Sequence, residues 1–258
     1  MRTGYVLPTR PDWQACTHPD EGYIKTMSTS QPSPSSKPDS AAFRHYSIID
    51  VMIGQVDHVL NNIFCEQSTS RTYPAEKLPS DELTASPLSL QQKQLAAGLM
   101  RVNHAGEISA QALYQGQSLT ARDPSLRDKL SQASIEESDH LNWCRRRLKE
   151  LDAEPSKLDP FWYMGSFALG MAAGIAGDRW NLGFLAETEY QVVRHLDDHL
   201  AALPENDARS RAIVSQMKED ELCHAHLAED LGAAELPPPV KALMKLTSKI
   251  MTSVAERL

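Results

Sequence analysis

From position 88 onward, apolar residues recur three and four places apart for most of the chain, the spacing of one face of an α-helix. Residues that stop helices interrupt this pattern at intervals. Asp123-Pro124 cuts it first, then Pro155 and Pro160, then Pro204, and finally Gly232 followed by Pro237-Pro238-Pro239. Proline cannot donate to the helical ladder, and glycine readily takes the conformation that ends one. The pattern therefore predicts four long helices, over about 88–121, 123–151, 181–203 and 207–231, with a last one over about 240–257. Upstream, Ile49, Met52, Ile53, Val56, Val59, Leu60 and Ile63 predict a further helix over about 43–64. A polar, proline-containing connector over 65–87 follows it.

Two apolar stretches do not fit a plain bundle. Residues 161–177 carry no charge and contain glycines at 165, 170, 174 and 177. The stretch is short of the ~20 residues that span a bilayer. It predicts either a buried hydrophobic crossover or a segment dipping into a membrane interface. In the last helix Val240, Leu243, Met244, Thr247, Ile250, Met251 and Val254 share a face, and Lys241, Lys245 and Lys249 line another. A basic amphipathic helix of this kind suits an anionic membrane surface. The alternative is a fifth bundle helix with a solvated lysine face.

Composition narrows the class. Hydrophobic residues make up 41% and charged residues 23% of 258 residues, enough for one good-sized core. Helix formers dominate the second half, so the fold expected is all-α. Nine of the thirteen residues over 28–40 are Ser or Pro, which cannot bury enough apolar area to offset ordering. Residues 1–40 are accordingly expected to be a disordered extension, or the product of a misassigned start with Met27 the true one; residues 41–258 form one domain. The net charge of −8 argues against nucleic acid as a partner. Cys16, Cys65, Cys144 and Cys223 are scattered, which argues against a disulfide framework and a zinc ribbon and suits a reducing compartment. The N-terminus lacks a secretory or transit pattern.

The chemistry lies in a repeat. Glu137 and His140 have the spacing Glu-x-x-His, which puts both side chains on one helix face. Glu221 and His224 repeat it. Glu107 lies 30 residues before Glu137, and Glu189 lies 32 before Glu221, so two helix hairpins carry the same acid series. One Glu from each of two helices and a Glu-x-x-His from each of the other two is the ligand set of di-iron carboxylate bundles. Each acid also falls on an apolar stripe; Glu189, for example, shares one with Leu182, Leu185, Val192, Val193 and Leu196. Buried carboxylates converging there need cations. Carboxylates with two imidazoles suit iron or manganese better than copper or zinc. Glu187 is the rival to Glu189 but sits on a stripe that ends polar. Glu136 faces about 100° away from Glu137 and reads as surface. His199 reads as solvated, while His195, His104 and Tyr114 are candidates to support the ligands from behind.

Arg101-Val102-Asn103-His104-Ala105-Gly106-Glu107, the Glu137/His140 pair and Asp220-Glu221-Leu222-Cys223-His224 together resemble the demethoxyubiquinone hydroxylase family of ubiquinone biosynthesis. So do the hydrophobic segment from Trp162 to Trp180 and the ending Val254-Ala255-Glu256-Arg257-Leu258. The likeness covers about residues 42–258. It implies a ferritin-like four-helix bundle with extra interfacial helices and a centre of two iron ions. It further implies O2-dependent hydroxylation of a prenylated methoxy-methyl-benzoquinol. All six ligand positions, Glu107, Glu137, His140, Glu189, Glu221 and His224, carry the residue types the family requires. Glu137 and Glu221 are expected to bridge the metals, with Glu107 and Glu189 more terminal.

No dinucleotide fingerprint is present, so electrons must come from the substrate pool, a diffusing reductant or a partner such as another ubiquinone-biosynthesis protein. A prenylated substrate implies a peripheral protein on the cytoplasmic face of the bacterial inner membrane. Two other readings share the bundle: a ferritin-like protein that stores iron or removes peroxide, and a helical scaffold or lipid-binding regulator whose carboxylates are structural.

Overall fold

The computed structural model describes residues 71–79 and 87–258. The extension 1–40 and the helix expected over 43–64 lie outside the described residues. A short 3-10 helix, Pro74–Lys77, is followed by α1 (Leu90–Thr120), α2 (Pro124–Glu150), α3 (Asp159–Ile175), α4 (Asp178–Ala202), α5 (Ala208–Asp230) and α6 (Pro238–Ala255). No strand occurs among the described residues. Side chains that satisfy free amides start the helices. Ser89 and Gln92 close a capping box on α1, Asp123 caps α2 ahead of Pro124, and Asp207 caps α5 through the amide of Ser210. The start of α4 departs most from the sequence expectation, at Asp178 rather than 181. Gly177, at φ +112, lets the chain reverse from α3 into α4 with no longer loop.

The hairpins α1–α2 and α4–α5 supply the four bundle helices. Between them α3 runs beside α1 in the same direction: Trp162 packs near Val102 and Ala105, Gly170 meets Leu113, and Gly174 meets Thr120. This single long crossover returns the chain to the end where α1 stops and α2 begins, so α4 descends and α5 ascends, as in ferritin-like bundles. Close approach requires glycine along the α1–α3 seam. A Cβ on Gly116 would strike the carbonyl oxygen of Phe167, and one on Gly170 would strike that of Leu113.

Two apolar layers close the ends of the bundle. Met100, Trp143, Leu148, Leu196, Ile213 and Met217 form one; Tyr114, Leu126, Leu130, Leu182 and Leu185 form the other. The candidate ligands occupy the stretch of each helix between these layers. On the lower end Arg147, itself buried, donates to Asp207, Ser210 and Glu150 and ties α2 to the start of α5.

Four expectations need correction. The connector is not uniformly polar: Tyr73, Pro74 and Ala75 are buried, and Arg146 lies over the Tyr73 ring at 4.0 Å. Residues 161–177 are not a buried crossover, because α3 docks only one face on α1. Tyr163, Gly170 and Gly174 are covered, whereas Phe161 is 69% exposed and Met164, Leu169 and Ile175 are also open. Cys223 is disulfide-bonded, although the cysteine spacing argued against a disulfide; Cys144 is free and buried. Nor does α6 bury its apolar face as a fifth bundle helix would. Ala255 is its one buried residue, and Leu243, at 60% exposure, stands open with Leu246 and Ile250. No described helix is long and apolar enough to cross a membrane.

Candidate metal centre

All six residues of the acid–histidine repeat converge inside the bundle, with Glu107 from α1, Glu137 and His140 from α2, Glu189 from α4, and Glu221 and His224 from α5. Each lies on the inward stripe of its helix, which the flanking leucines and alanines hold against the neighbours. Metal-ligating atoms of Glu107, Glu137, His140 and Glu221 all lie within 4.8 Å of one another. Glu189 joins on the far side, close to Glu221, Glu137 and His224.

The two central carboxylates are shared. Glu137 Oε2 lies 3.0 Å from His140 Nδ1, and its Oε1 lies 3.3 Å from His224 Nδ1. Glu221 does the same in mirror fashion, with Oε1 3.1 Å from His140 Nδ1 and Oε2 3.1 Å from His224 Nδ1. Glu107 Oε2 adds a contact at 3.5 Å on the His140 side alone. Tyr114, on the other side, donates to Glu189 Oε1 at 2.8 Å, and its ring meets that of His224 edge-on.

Electrostatics within this cluster favour cations. Burial pushes the Glu107 carboxyl well above the usual range, and the nearby Glu137 and Glu221 push it further. Burial and the same two neighbours raise Glu189. Burial also acts to raise Glu137, but hydrogen bonds from His140 and His224 outweigh it and hold that carboxyl low. Both imidazoles are held well above their ordinary value: burial opposes their charge, but the surrounding carboxylates overcome it. Protons on the two histidines thus balance part of the negative charge. Glu107 Oε2 and Glu137 Oε1 are buried with only long or poorly aligned contacts, at 3.5 Å to His140 and 3.3 Å to His224. Two divalent cations would satisfy those oxygens and take over the charge balance, so the donor set fits a pair of carboxylate-bridged metals.

The outward nitrogens of the histidines carry partners that the sequence reading missed. His140 Nε2 lies 2.8 Å from Asp220 Oδ2, and His224 Nε2 lies 3.1 Å from Glu136 Oε2. Glu136 is therefore not a plain surface residue, although its side chain stays 38% exposed. Each partner is the acid immediately before a ligand Glu on the opposite helix. The repeat is thus acid-Glu-x-x-His in both halves, a signal present in the sequence.

Other candidates fall elsewhere. His104 is buried with Nδ1 3.2 Å from Asp159 Oδ2, facing the start of α3. The His195 ring packs at a tilt, 3.9 Å between ring centres, against His199, which is buried rather than solvated. Glu187 pairs with Arg194 and Lys241 outside the cluster. A shallow apolar depression lies at the upper end of the bundle, walled by Leu126, Leu130, Leu182 and Leu185, and reaches Tyr114 and His224.

Residues 94–255 match the family described as Ubiquinone biosynthesis protein COQ7. The chain belongs to this family. It is 55% identical over 210 residues to a 3-demethoxyubiquinol 3-hydroxylase of Chromobacterium violaceum, covering 81% of this chain and all of that relative. Proteins with the same name from Dechloromonas aromatica and Bordetella avium are 53% and 51% identical, over 81% and 84% of this chain and 98% and 99% of theirs. The COQ7 match contains all six candidate ligands, Tyr114, Glu136 and Asp220.

Proposed function

We propose that this protein is a di-iron monooxygenase that hydroxylates the ring of a prenylated demethoxyubiquinol with O2, a late step of ubiquinone biosynthesis. The observation that carries this reading is the sharing of Glu137 and Glu221, each presenting one oxygen to each of two histidines. Glu107 with His140 and Glu189 with His224 would complete the coordination of one iron each. The iron pair, when bound, supplies the activation of O2. One oxygen atom enters a ring C–H bond, and the other leaves as water with two protons and two electrons from an external donor.

The chain's own residues supply the surroundings. The leucine-walled depression beside Tyr114 and His224 offers an apolar surface to a quinol ring. Tyr114 holds Glu189 in place and can orient it towards a metal. The exposed apolar faces of α3 and α6, with Lys245 and Lys249 also exposed, suit a peripheral protein drawing its quinol from an anionic bilayer. That surface would be the cytoplasmic face of the bacterial inner membrane.

A single turnover tests the reading. The full chain is loaded anaerobically with Fe(II), given a short-tailed demethoxyubiquinol and exposed to labelled O2, and the product is weighed. One labelled oxygen in the ring supports the hydroxylase. Iron oxidation with unchanged quinol, where the quinol is shown to bind, overturns it in favour of an iron-storing or peroxide-removing bundle.

A further inference from the structure

We propose that Arg71 is a positioning residue of the metal centre, acting through Asp220 to fix His140, and that it makes the two histidine positions unequal. The inference rests on the two-metal reading above. Both histidines have an acid behind them, but the acids differ in their own support. Asp220 is gripped by the guanidinium fork of Arg71, with Nη1 donating to Oδ2 at 2.6 Å and Nη2 to Oδ1 at 3.1 Å. Gln216 adds a third donor at 3.1 Å. Glu136, behind His224, receives Gln132 at 3.3 Å and is reached by Arg71 only through space, with no cation hydrogen-bonded or ion-paired to it among the described residues. Its side chain is 38% exposed against 14% for Asp220.

Aromatic packing holds the Arg71 guanidinium in place beside Asp220. Its guanidinium lies 5.0 Å from the Trp143 ring, and that ring lies 5.2 Å from the imidazole of His140. The segment bearing Arg71 is pinned nearby: Glu76 receives Arg146 at 2.7 Å, and Tyr73 donates to Glu150. A bidentate Arg–carboxylate pair fixes the plane of the carboxylate as well as its charge. Asp220 so held can fix the ring of His140 and the basicity of its inward nitrogen. Arg71 lies outside residues 94–255 and 149 positions from Asp220, so the family match does not include it.

Cobalt titration of the metal-free full chain tests this, following both the binding isotherm and the visible bands of Co(II). Wild type takes up two ions of unequal affinity. Arg71→Ala weakens one ion about 10-fold, changes its bands and affects the other ion far less. Arg71→Lys restores only part of the loss, because a point charge cannot make the fork. Asp220→Asn combined with Arg71→Ala is no weaker than Asp220→Asn alone, as expected if one residue acts through the other. Glu136→Gln weakens the other ion, and its effect multiplies with that of Arg71→Ala. Two ions bound with unchanged affinity in Arg71→Ala, equal weakening of both, or losses at Arg71 and Asp220 that multiply would each overturn the inference while sparing the two-metal reading. Uptake of fewer than two ions by wild type would overturn the two-metal reading itself.

Discussion

The interior of the bundle and the flank formed by α3 and α6 reverse the usual distribution of polarity. Inside, four carboxylates and two imidazoles are buried between layers of leucine and methionine. Outside, Phe161, Met164, Leu243 and Ile250 stand in the open. Buried charge is costly unless it is balanced, and clustered exposed apolar surface usually marks a contact. Both departures lie along α1, whose inner face carries Glu107 and whose outer side receives α3 and α6. One helix thus separates the buried acid–histidine cluster from the open apolar surface.

The largest effect expected from breaking this contrast is at its charged side. Glu137→Gln should abolish uptake of both metal ions, because its two oxygens face both histidines. Glu107→Gln should spare the ion on the His224 side. Counting bound Fe(II) in the two variants separates them; equal losses would refute the shared role of Glu137. Uptake should also weaken as pH falls, since protons compete for the inward nitrogens of His140 and His224, whose affinity for protons is raised.

Next comes the apolar side. Leu243→Glu with Ile250→Glu should reduce flotation with anionic vesicles at least about 10-fold, given the ~1.5–3 kcal/mol that burying each side chain contributes. Both positions are exposed, so thermal unfolding should stay within about 2 °C of wild type. Unchanged flotation would leave the flank unexplained by a membrane.

The seam between the two regions gives a smaller effect. Gly170→Ala should cost about 3 kcal/mol in denaturant unfolding, because the new methyl meets the backbone of Leu113 rather than a movable side chain. The smallest effect concerns His199, which is not part of the cluster. Burial and the adjacent His195 push it down to about 3. It is neutral in the fold but takes up a proton near its ordinary value once unfolded. Its contribution is therefore lost as pH falls from about 6.5 towards 3, by roughly 2 kcal/mol at pH 5. His199→Gln should flatten that part of the stability profile, read from unfolding midpoints across the range.

Much of the fold was legible because helical periodicity is a local rule. The stop signals at Asp123-Pro124, Pro204 and Gly232 located helix ends to within a few residues. The six residues of the acid repeat were legible for the same reason, since spacing of three and a place on an apolar stripe set which way a side chain points. Glu136 was misread because a rotation of 100° from Glu137 says where it leaves its own helix, not that α5 brings His224 beneath it. His199 was misread because its polar neighbours suggested a solvated face, whereas in the fold it packs against His195 and is buried.

The sequence by itself determined that this chain is helical, that two hairpins repeat one acid–histidine pattern, and that those acids face inward. Only the tertiary structure decided that Glu137 and Glu221 are shared between both histidines, that Arg71 stands behind Asp220, and that α3 and α6 leave apolar faces open. The reason is physical. Periodicity along one helix fixes a direction within a few residues, but partners 80 or 149 positions apart meet only when separate helices pack, and packing depends on the whole set of side chains at once.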